Sequence, residues 1–471
     1  MPLLYLYPSA QLHVTDLCHS SSPSSFADRP NAGEVLEILN EHLEPAEPPI
    51  SPFPESRIKL TAASDQKKLG YKPLAMKLSE ASEILDDRID EFITLVAEHH
   101  QLEDSAFGNA ASQGTTEIVA VGRITSDSLE GKLNAASLVL ETSRRTGGGL
   151  RVPLNLSKLK GYQFFPGQIV ALRGINSTGR DFTVHSVLPL PLLPNAASAP
   201  DTLTTHLSRL RGGPDAMDSD SPPLPLTILL ASGPYTADDN LEFAPLSTLC
   251  SEAADSFVDC LILTGPFLDA EHPLLAAGDF DLPPEVSASI DPDTATMSTV
   301  FKYLISPHLN RLVAANPSIT ILLVPSVRDV IDKHVSWPQD AFSRRELGLP
   351  KTARIIGNPM TLSVNETVIG VSSQDVLYEL RQEELVGGTG GGDALGRACR
   401  YLIEQRHFFP LFPPTERKRL PRTGTGAVGV GGEGAPPGGM IDVSYLKLGE
   451  MVNVRPDVLV VPSALPGFAK V

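Results

Sequence analysis

The sequence predicts a multi-domain protein of class α+β/β, in which a small closed β-barrel is followed by an α/β sandwich and both are preceded by a disordered N-terminal region. Three observations predict this architecture: short strand-like runs between residues 117 and 189, alternating apolar strands and helices from Leu226 onward, and Ser-, Pro- and acid-rich residues 1–70. A length of 471 residues accommodates two or three such domains.

Residues 1–70 are expected to form a disordered linker. Stretches such as SSSPSSF and LEPAEPPISPFPES contain too little apolar surface to offset the entropy lost on ordering. A helical segment, residues 71–110, follows and contains LSEASEILDDRIDEFITLVAEHH, with apolar side chains at three- and four-residue steps. This spacing predicts one amphipathic helix with Ser79 as its N-cap and an apolar face for packing.

Residues 111–195 are expected to form the barrel. The runs EIVAVGRI, ASLVLET, RVPLNL, QIVALRGI and FTVHSVL are separated by turn residues such as GGG, FFPG and NSTG. About five short strands in this length favour a closed barrel, and the OB-fold is the commonest such barrel. Residues 196–225, rich in Pro, Gly and Asp, are expected to be a linker.

Residues 226–471 alternate between strand and helix patterns. The strand candidates are LTILLASG, DCLILTG, SITILLVPS, TLSVNETVIGVSS and DVLVVPS, whose apolar runs indicate burial on both faces of a sheet. Two Gly-rich inserts, at 387–393 and 422–439, are expected to be flexible surface loops because neither has the spacing of a phosphate-binding loop.

Composition narrows the function classes. A net charge of −18 opposes sequence-independent binding of a polyanion across the whole surface. The four cysteines lack the spacing of a zinc or redox motif, which fits a reducing compartment. No apolar run approaches the roughly 20 residues of a membrane helix, so we expect no membrane association.

The segments after the first three sandwich strands read ASGPYTADD, GPFLD and SVRD. They resemble the corresponding segments of calcineurin-like metallophosphoesterases, which read D-x-H, GD-x-x-D and GNH[DE]. By that resemblance Pro266 replaces a metal-bridging Asp, Val327 a ligand Asn and Arg328 a catalytic His, whereas Asp269 and Asp329 are retained. The late GHxH element has no match.

These substitutions predict a degenerate metal site and an inactive phosphoesterase domain. Pro and Val side chains offer no donor atom, and Arg places a fixed positive charge where metal ions would lie. We therefore expect no cofactor and no catalytic residue. The alternative is a divergent hydrolase that uses Asp269 and Asp329 with an unrecognised cation. Capping or ion pairing of these two residues, for example with Arg328, is the simpler interpretation.

The order of helix, barrel and metal-less sandwich resembles the B-family DNA polymerase accessory subunits, and within them the branch of the DNA polymerase alpha–primase complex. The stretches that carry the resemblance include GYKPLAMKLSEASEILDDRIDEF, FFPGQIVALRGIN, VLPLPLLP, LILTGPFLDAEHP, GNPMTLSVNETVIGVSSQDVL and HFFPLFPP. They run in order from about residue 71 to the C-terminus. The delta and epsilon relatives share the architecture and remain an alternative.

The resemblance implies a nuclear, non-catalytic scaffold subunit. Its partner would be the zinc-bearing C-terminal domain of the polymerase catalytic subunit. Primase would be bound indirectly, and DNA would be contacted mainly through the complex. By the same resemblance we expect a shortened chain, because no globular domain is recognised before the linker and the sequence ends at GFAKV, where relatives are expected to continue.

Two surface hypotheses follow. In HFFPLFPP, Phe408, Phe409 and Phe412 are candidate interface residues, the alternative being that the rings pack the sandwich core. A second hypothesis is that the barrel binds single-stranded nucleic acid, because such readers combine basic and aromatic side chains. The basic candidates are Arg144, Arg145, Arg151, Lys158 and Lys160, and the few aromatics are Tyr162, Phe164, Phe165 and Phe182.

Overall fold

The computed structural model describes residues 4–6, 26, 29, 32–45, 47–73, 75–128, 131–211, 223–288, 290–291, 294–331, 336–389, 391–415 and 440–471. The predicted Gly-rich insert at 422–439 lies outside the described residues. Within them, no helix combines the length and the apolar character needed to cross a membrane.

The strands, in chain order, are β1 Leu4–Leu6, β2 Glu37–Leu39, β3 Leu60–Ala62, β4 Ile118–Ser126, β5 Leu138–Glu141, β6 Arg151–Asn155, β7 Gly161–Phe164, β8 Ile169–Ile175, β9 Phe182–Leu188, β10 Ile228–Ser232, β11 Cys260–Thr264, β12 Thr320–Val324, β13 Ser336–Trp337, β14 Ala353–Ile355, β15 Met360–Val364, β16 Thr367–Val371, β17 Leu385–Gly388, β18 Met440–Ile441 and β19 Val458–Val460. The helices are α1 Leu78–His100, α2 Arg144–Gly147, α3 Pro200–Leu210, α4 Ala244–Asp255, α5 Pro273–Ala277, α6 Pro284–Ser287, α7 Met297–Val300, α8 Ser306–Ala315, α9 Val376–Glu383 and α10 Ala394–Glu404.

The barrel is closed and consists of β4, β5, β6, β9 and β8 in that order. The parallel pairing of β6 with β9 completes the circle. Its interior holds a cluster of buried side chains that includes Phe164 and Phe182. Each of these strands corresponds to one of the five runs predicted from the sequence, since the turn residues between the runs fix where each strand ends.

Helix α1 packs on the outside of the barrel. Its apolar face places Ile89, Phe92 and Val96 in a cluster with side chains of β4 and β8. The predicted amphipathic helix is therefore confirmed, although Ser79 is not its N-cap. The cap is Lys77, whose backbone N–H donates to the Glu80 carboxylate at 2.8 Å.

The prediction that residues 1–70 form a disordered linker is wrong where strands form: β1 pairs with β2, and the stretch from residue 56 onward packs on the sandwich. Strand β3 pairs with β15, and Ile58 and Leu69 are buried. The reason is a buried ion pair in which Arg57 Nε donates to Asp259 Oδ1 at 2.8 Å. Local composition therefore understates how strongly this segment is bound to the sandwich.

The predicted linker at 196–225 is likewise wrong in part, because it contains helix α3. Proline in the first turn favours the start of α3, and His206 is buried beneath the helix.

The sandwich contains two four-stranded sheets. One is parallel, in the order β10-β11-β12-β14, and the other is mixed, in the order β19-β16-β15-β3. Side chains of β11 and β12 alternate between two clusters: Leu261 and Leu263 pack toward α4 and α8, whereas Cys260 and Ile262 pack toward the second sheet. This double burial is the reason for the continuous apolar runs in the sequence.

Two sequence-based expectations need correction here. The run TLSVNETVIGVSS is not one strand but the hairpin β15–β16, which turns at Asn365 in the left-handed conformation, with φ of 55°. The insert at 387–393 is not entirely a surface loop, because its first residues belong to β17, which pairs antiparallel with β7 beside the barrel.

Candidate functional site

The carboxyl ends of β11 and β12 meet at one edge of the parallel sheet, where the sequence predicted a degenerate metal site. The loops that follow are joined by antiparallel backbone contacts between Asp269 and Asp329. The Val330 N–H donates to the Leu268 carbonyl at 3.0 Å, and the Ala270 N–H donates to the Arg328 carbonyl at 2.9 Å. We call the side chains of Pro266, Asp269, Val327, Arg328 and Asp329 the strand-end cluster.

Asp329 holds the two loops together through its carboxylate. Its Oδ1 accepts from the backbone N–H groups of Phe267 at 2.5 Å and Leu268 at 2.9 Å, and its Oδ2 accepts from the Ser326 N–H at 2.9 Å. The side chain is buried, and burial raises the pKa of Asp329 to about 7 against the opposing effect of the three amide donors. A Cβ on Gly265 would lie 2.4 Å from Oδ2, so this close approach requires glycine.

Asp269 binds Arg328. The guanidinium donates from Nη2 to Asp269 Oδ2 and from Nε to Oδ1, the latter at 3.2 Å. The same Nη2 lies 3.5 Å from Glu271 Oε2. Because the Asp269 side chain is 3% exposed and its partner 21% exposed, the pair closes the edge of the sheet toward solvent.

These residues do not fit a pair of divalent cations. Pro266 and Val327 are buried and have no side-chain donor atom, Arg328 brings a positive charge to Asp269, and both oxygens of Asp329 accept backbone hydrogen bonds. Among the described residues no group of three or more His, Cys, Asp or Glu side chains is arranged to hold a metal ion. The contacts of Asp269, Arg328 and Asp329 stabilise the geometry of the two loops.

The segment HFFPLFPP lies at the junction between sandwich and barrel. Phe408 and Phe409 are each 1% exposed and pack in a cluster that also contains Phe165 from the barrel side and Trp337. They therefore belong to the core, which corrects their assignment as interface candidates: the rings fill the junction within this chain. Phe412 is half-buried, with its backbone N–H donating to the Pro166 carbonyl at 3.0 Å.

Polar contacts reinforce the same junction. The Gln405 side chain both accepts from the Ile169 N–H and donates to the Ile169 carbonyl, each at 2.9 Å. Arg88 on α1 donates to the Gln405 carbonyl at 2.6 Å and to Glu450 Oε1 at 3.0 Å. These hydrogen bonds link the barrel, helix α1 and the sandwich at the junction.

The five predicted nucleic-acid contacts fall into two groups. Arg144, Arg145 and Arg151 face carboxylates: the first donates to Asp86, and the other two lie 3.5 Å from Asp90 and 3.6 Å from Glu141. Their charge is thus partly neutralised within the chain. Lys158 and Lys160 are exposed in the loop between β6 and β7.

Sequence reasoning missed Arg57. Its guanidinium pairs with Asp259, and the two side chains are 4% and 5% exposed. It also donates to the Leu224 carbonyl at 2.8 Å and the Pro225 carbonyl at 3.1 Å. Because the paired residues are 202 positions apart, no local pattern could have revealed the contact.

A closed barrel joined through a shared core to an α/β sandwich, with an Arg–Asp pair at the sandwich strand ends, fits the class of polymerase accessory subunits. Comparisons with known proteins agree. Residues 82–190 match the family described as the OB domain of the DNA polymerase alpha B subunit. Residues 228–470 match the family described as the DNA polymerase alpha/epsilon B subunit. The chain belongs to this alpha/epsilon B-subunit family.

Several similar proteins are named as the B subunit of DNA polymerase alpha. That of Schizosaccharomyces pombe is 34% identical over 459 residues, which is 96% of this chain and 72% of the relative. The Saccharomyces cerevisiae protein is 33% identical over 466 residues, 93% of this chain and 63% of the relative. The Bos taurus protein is 29% identical over 457 residues, 96% of this chain and 66% of the relative. The chain thus spans about two thirds of the length of these relatives.

Proposed function

We propose that this chain is a non-catalytic accessory subunit of DNA polymerase alpha–primase. It acts in the nucleus as a scaffold for the zinc-bearing C-terminal domain of the polymerase catalytic subunit, with primase held indirectly, at the initiation of DNA replication. Family membership and the names of the relatives support the assignment to polymerase alpha.

The observation that carries the non-catalytic part is the strand-end cluster. A phosphoesterase of this shape needs carboxylates and imidazoles facing an open site, because two cations must generate hydroxide and bind the phosphoryl oxygens. Here Arg328 binds Asp269, and Asp329 is committed to backbone amides. We therefore propose that the sandwich is an inactive phosphoesterase-like domain.

The shared core supports the scaffold part. Because Phe408, Phe409 and Phe165 fix the barrel against the sandwich, a partner that contacts both would meet one preorganised surface. Such interfaces combine an apolar centre with a polar rim. Half-buried Phe412, with the Arg123 guanidinium 5.8 Å from the centre of its ring, lies at the junction and remains the candidate contact from the HFFPLFPP segment.

Side-by-side capture tests the assignment. The tagged chain is co-expressed in turn with the C-terminal domain of the catalytic subunit of polymerase alpha, delta or epsilon. We expect stoichiometric retention of the alpha domain and background retention of the other two. Equal or greater retention of the delta or epsilon domain, or of none, would contradict the proposal.

A substitution pair tests the contact. Phe412→Ala should reduce retention of the alpha domain while the melting temperature changes by less than about 3 °C, because the ring is only half-buried. Leu203→Ala is the matched control, since Leu203 is a partly exposed apolar side chain on α3. Equal effects of the two substitutions on retention would rule out Phe412 as a specific contact.

A further inference from the structure

The loop that leads into β14 packs on the outer surface of the sandwich, against α8 and the helical turn before it. The Ser306 hydroxyl donates to the Leu347 carbonyl at 2.5 Å, and Asn310 Nδ2 donates to the Gly348 carbonyl at 3.2 Å. Gly348 has a φ of 65°, and a Cβ on it would lie 2.9 Å from Lys302 Cγ. The loop is therefore fixed on the helix, and its turn requires glycine.

These two segments carry a group of exposed cations. We call them the basic patch: Lys302, Arg344, Arg345, Lys351 and Arg354. Among the described residues none of the five side chains forms an ion pair with a carboxylate. Between residues 344 and 354 the sequence has a single acidic residue, Glu346. In a chain with a net charge of −18, this local excess of positive charge indicates an anionic partner.

The patch is held in place beside an edge strand. The Arg344 guanidinium donates to the Pro350 carbonyl at 2.6 Å, and the same carbonyl accepts from the Ala353 N–H at 3.1 Å, so Arg344 lies next to the start of β14. Strand β14 is the last in the order of the parallel sheet, and of the described strands only β12 pairs with it. An extended peptide can pair with such an edge through backbone hydrogen bonds, which a nucleic acid cannot form.

The aromatic content of the region also favours a peptide. Proteins that bind single-stranded nucleic acid combine cations with exposed rings on which bases stack. Here the Tyr303 ring is half-buried and has Lys302 Nζ 5.2 Å from its centre, and Phe342 is buried. Guanidinium groups, in contrast, match carboxylates through paired hydrogen bonds.

We propose that the basic patch binds a short acidic segment of a partner protein. Asp and Glu side chains of that segment pair with Arg345, Lys351 and Arg354, and its backbone runs extended along β14. Because exposed ion pairs are individually weak and screened by salt, binding is weak and salt-sensitive.

This surface is separate from the one proposed for the scaffold role. The loop before β14 packs on the core cluster that contains Leu347 and Ala353, whereas the barrel joins the sandwich through the cluster that contains Phe165 and Phe408. The inference goes beyond the proposed function, and failure of either leaves the other standing.

The test is fluorescence anisotropy with the full chain and a labelled peptide of about ten residues, about half of them Asp or Glu, at about 50 mM salt. The double reversal Arg345→Glu with Lys351→Glu should raise the Kd at least about tenfold, because two attractions become two repulsions. An increase to about 300 mM salt should weaken binding by the parent chain several-fold.

The matched control is Lys158→Glu with Lys160→Glu, which changes the net charge equally on exposed side chains of the barrel. We expect its Kd to stay within about twofold of that of the parent chain. A peptide with Asn and Gln in place of Asp and Glu should not bind, and a labelled oligothymidylate of the same charge should bind more weakly than the acidic peptide. Circular dichroism checks that each variant is folded.

Four results would overturn the proposal. One is no anisotropy change with the acidic peptide at protein concentrations up to about 500 µM at low salt. Another is an equal loss of affinity in both double reversals, because that would reflect net charge and not the basic patch. The third is tighter binding of the oligothymidylate, lost in Arg345→Glu with Lys351→Glu, which would make the patch a nucleic-acid surface. The fourth is self-association in sedimentation velocity that the same double reversal abolishes, because a second copy of the chain would then occupy the patch.

Discussion

Replacement of Asp329 tests whether its carboxylate stabilises the fold or is only the remnant of a metal ligand. In Asp329→Ala the backbone N–H groups of Phe267, Leu268 and Ser326 lose their acceptor in a buried position. Each unsatisfied buried donor costs roughly 1–3 kcal/mol, and removal of a desolvated charge together with entry of water offsets part of the sum. We expect a net loss of about 3–5 kcal/mol in the free energy of unfolding.

The isosteric Asp329→Asn variant refines the expectation. Its amide oxygen can still accept from Phe267 and Leu268, but its NH₂ group would face the Ser326 N–H, so one bond is lost. The loss should be about 1–3 kcal/mol, smaller than for alanine. The melting temperature of each variant measures the loss. For a domain of this size, the loss expected for Asp329→Ala corresponds to a decrease of roughly 10 °C.

The control is Asp239→Ala, an exposed carboxylate in the loop after β10. It should shift the melting temperature by less than about 2 °C. If the melting temperature of Asp329→Ala also shifted by less than about 2 °C, the Asp329 carboxylate would not be what holds the two loops together. Equal shifts for the alanine and asparagine variants would likewise contradict the bond-by-bond reasoning.

Three further predictions concern buried groups. Arg57→Ala should lower the free energy of unfolding by about 3–5 kcal/mol, because Asp259 would be left buried and unpaired. Limited proteolysis near residue 60 should become faster, and an unchanged cleavage rate would contradict the role of the ion pair. Burial raises the pKa of Glu379 from 4.5 to about 7, so stability that is present below pH about 4.5 is lost as pH rises through about 7. Glu379→Gln should flatten the melting temperature between pH about 5 and 8, whereas exposed Glu366→Gln should leave it as in the parent chain; an equally steep profile in Glu379→Gln would refute the assignment. Phe408→Ala should destabilise by about 3–5 kcal/mol and reduce soluble yield, and a stable variant that only lost partner binding would contradict the core position.

Elements with local signals were predictable. Helix α1 matches the periodic segment because apolar spacing acts within a few residues, and the barrel strands match the runs between turn residues. The hairpin β15–β16 was missed because its turn depends on one left-handed Asn365 without a glycine. Strand β17 was missed because Gly387 and Gly388 give a loop-like composition, although their lack of side chains is what lets β17 approach β7.

The strand-end cluster was only partly predictable. The identities of Pro266, Val327 and Arg328 already argued against metal ions, and pairing of Asp269 with Arg328 was anticipated. The three-amide contact of Asp329 was not, because it depends on how two loops far apart in sequence approach each other. Burial of Phe408 was similarly decided by the barrel, whose packing against the sandwich no local pattern encodes.

Metal titration with a parallel hydrolysis assay decides whether the strand-end cluster is inert. Manganese or zinc is titrated into the purified chain by calorimetry, and the same samples are assayed on p-nitrophenyl phosphate esters. Because Arg328 binds Asp269 and backbone N–H groups donate to the Asp329 carboxylate, we expect no stoichiometric metal binding and no hydrolysis above background. Two ions bound per chain, with hydrolysis abolished by Asp269→Asn, would show instead that the sandwich is a working phosphoesterase.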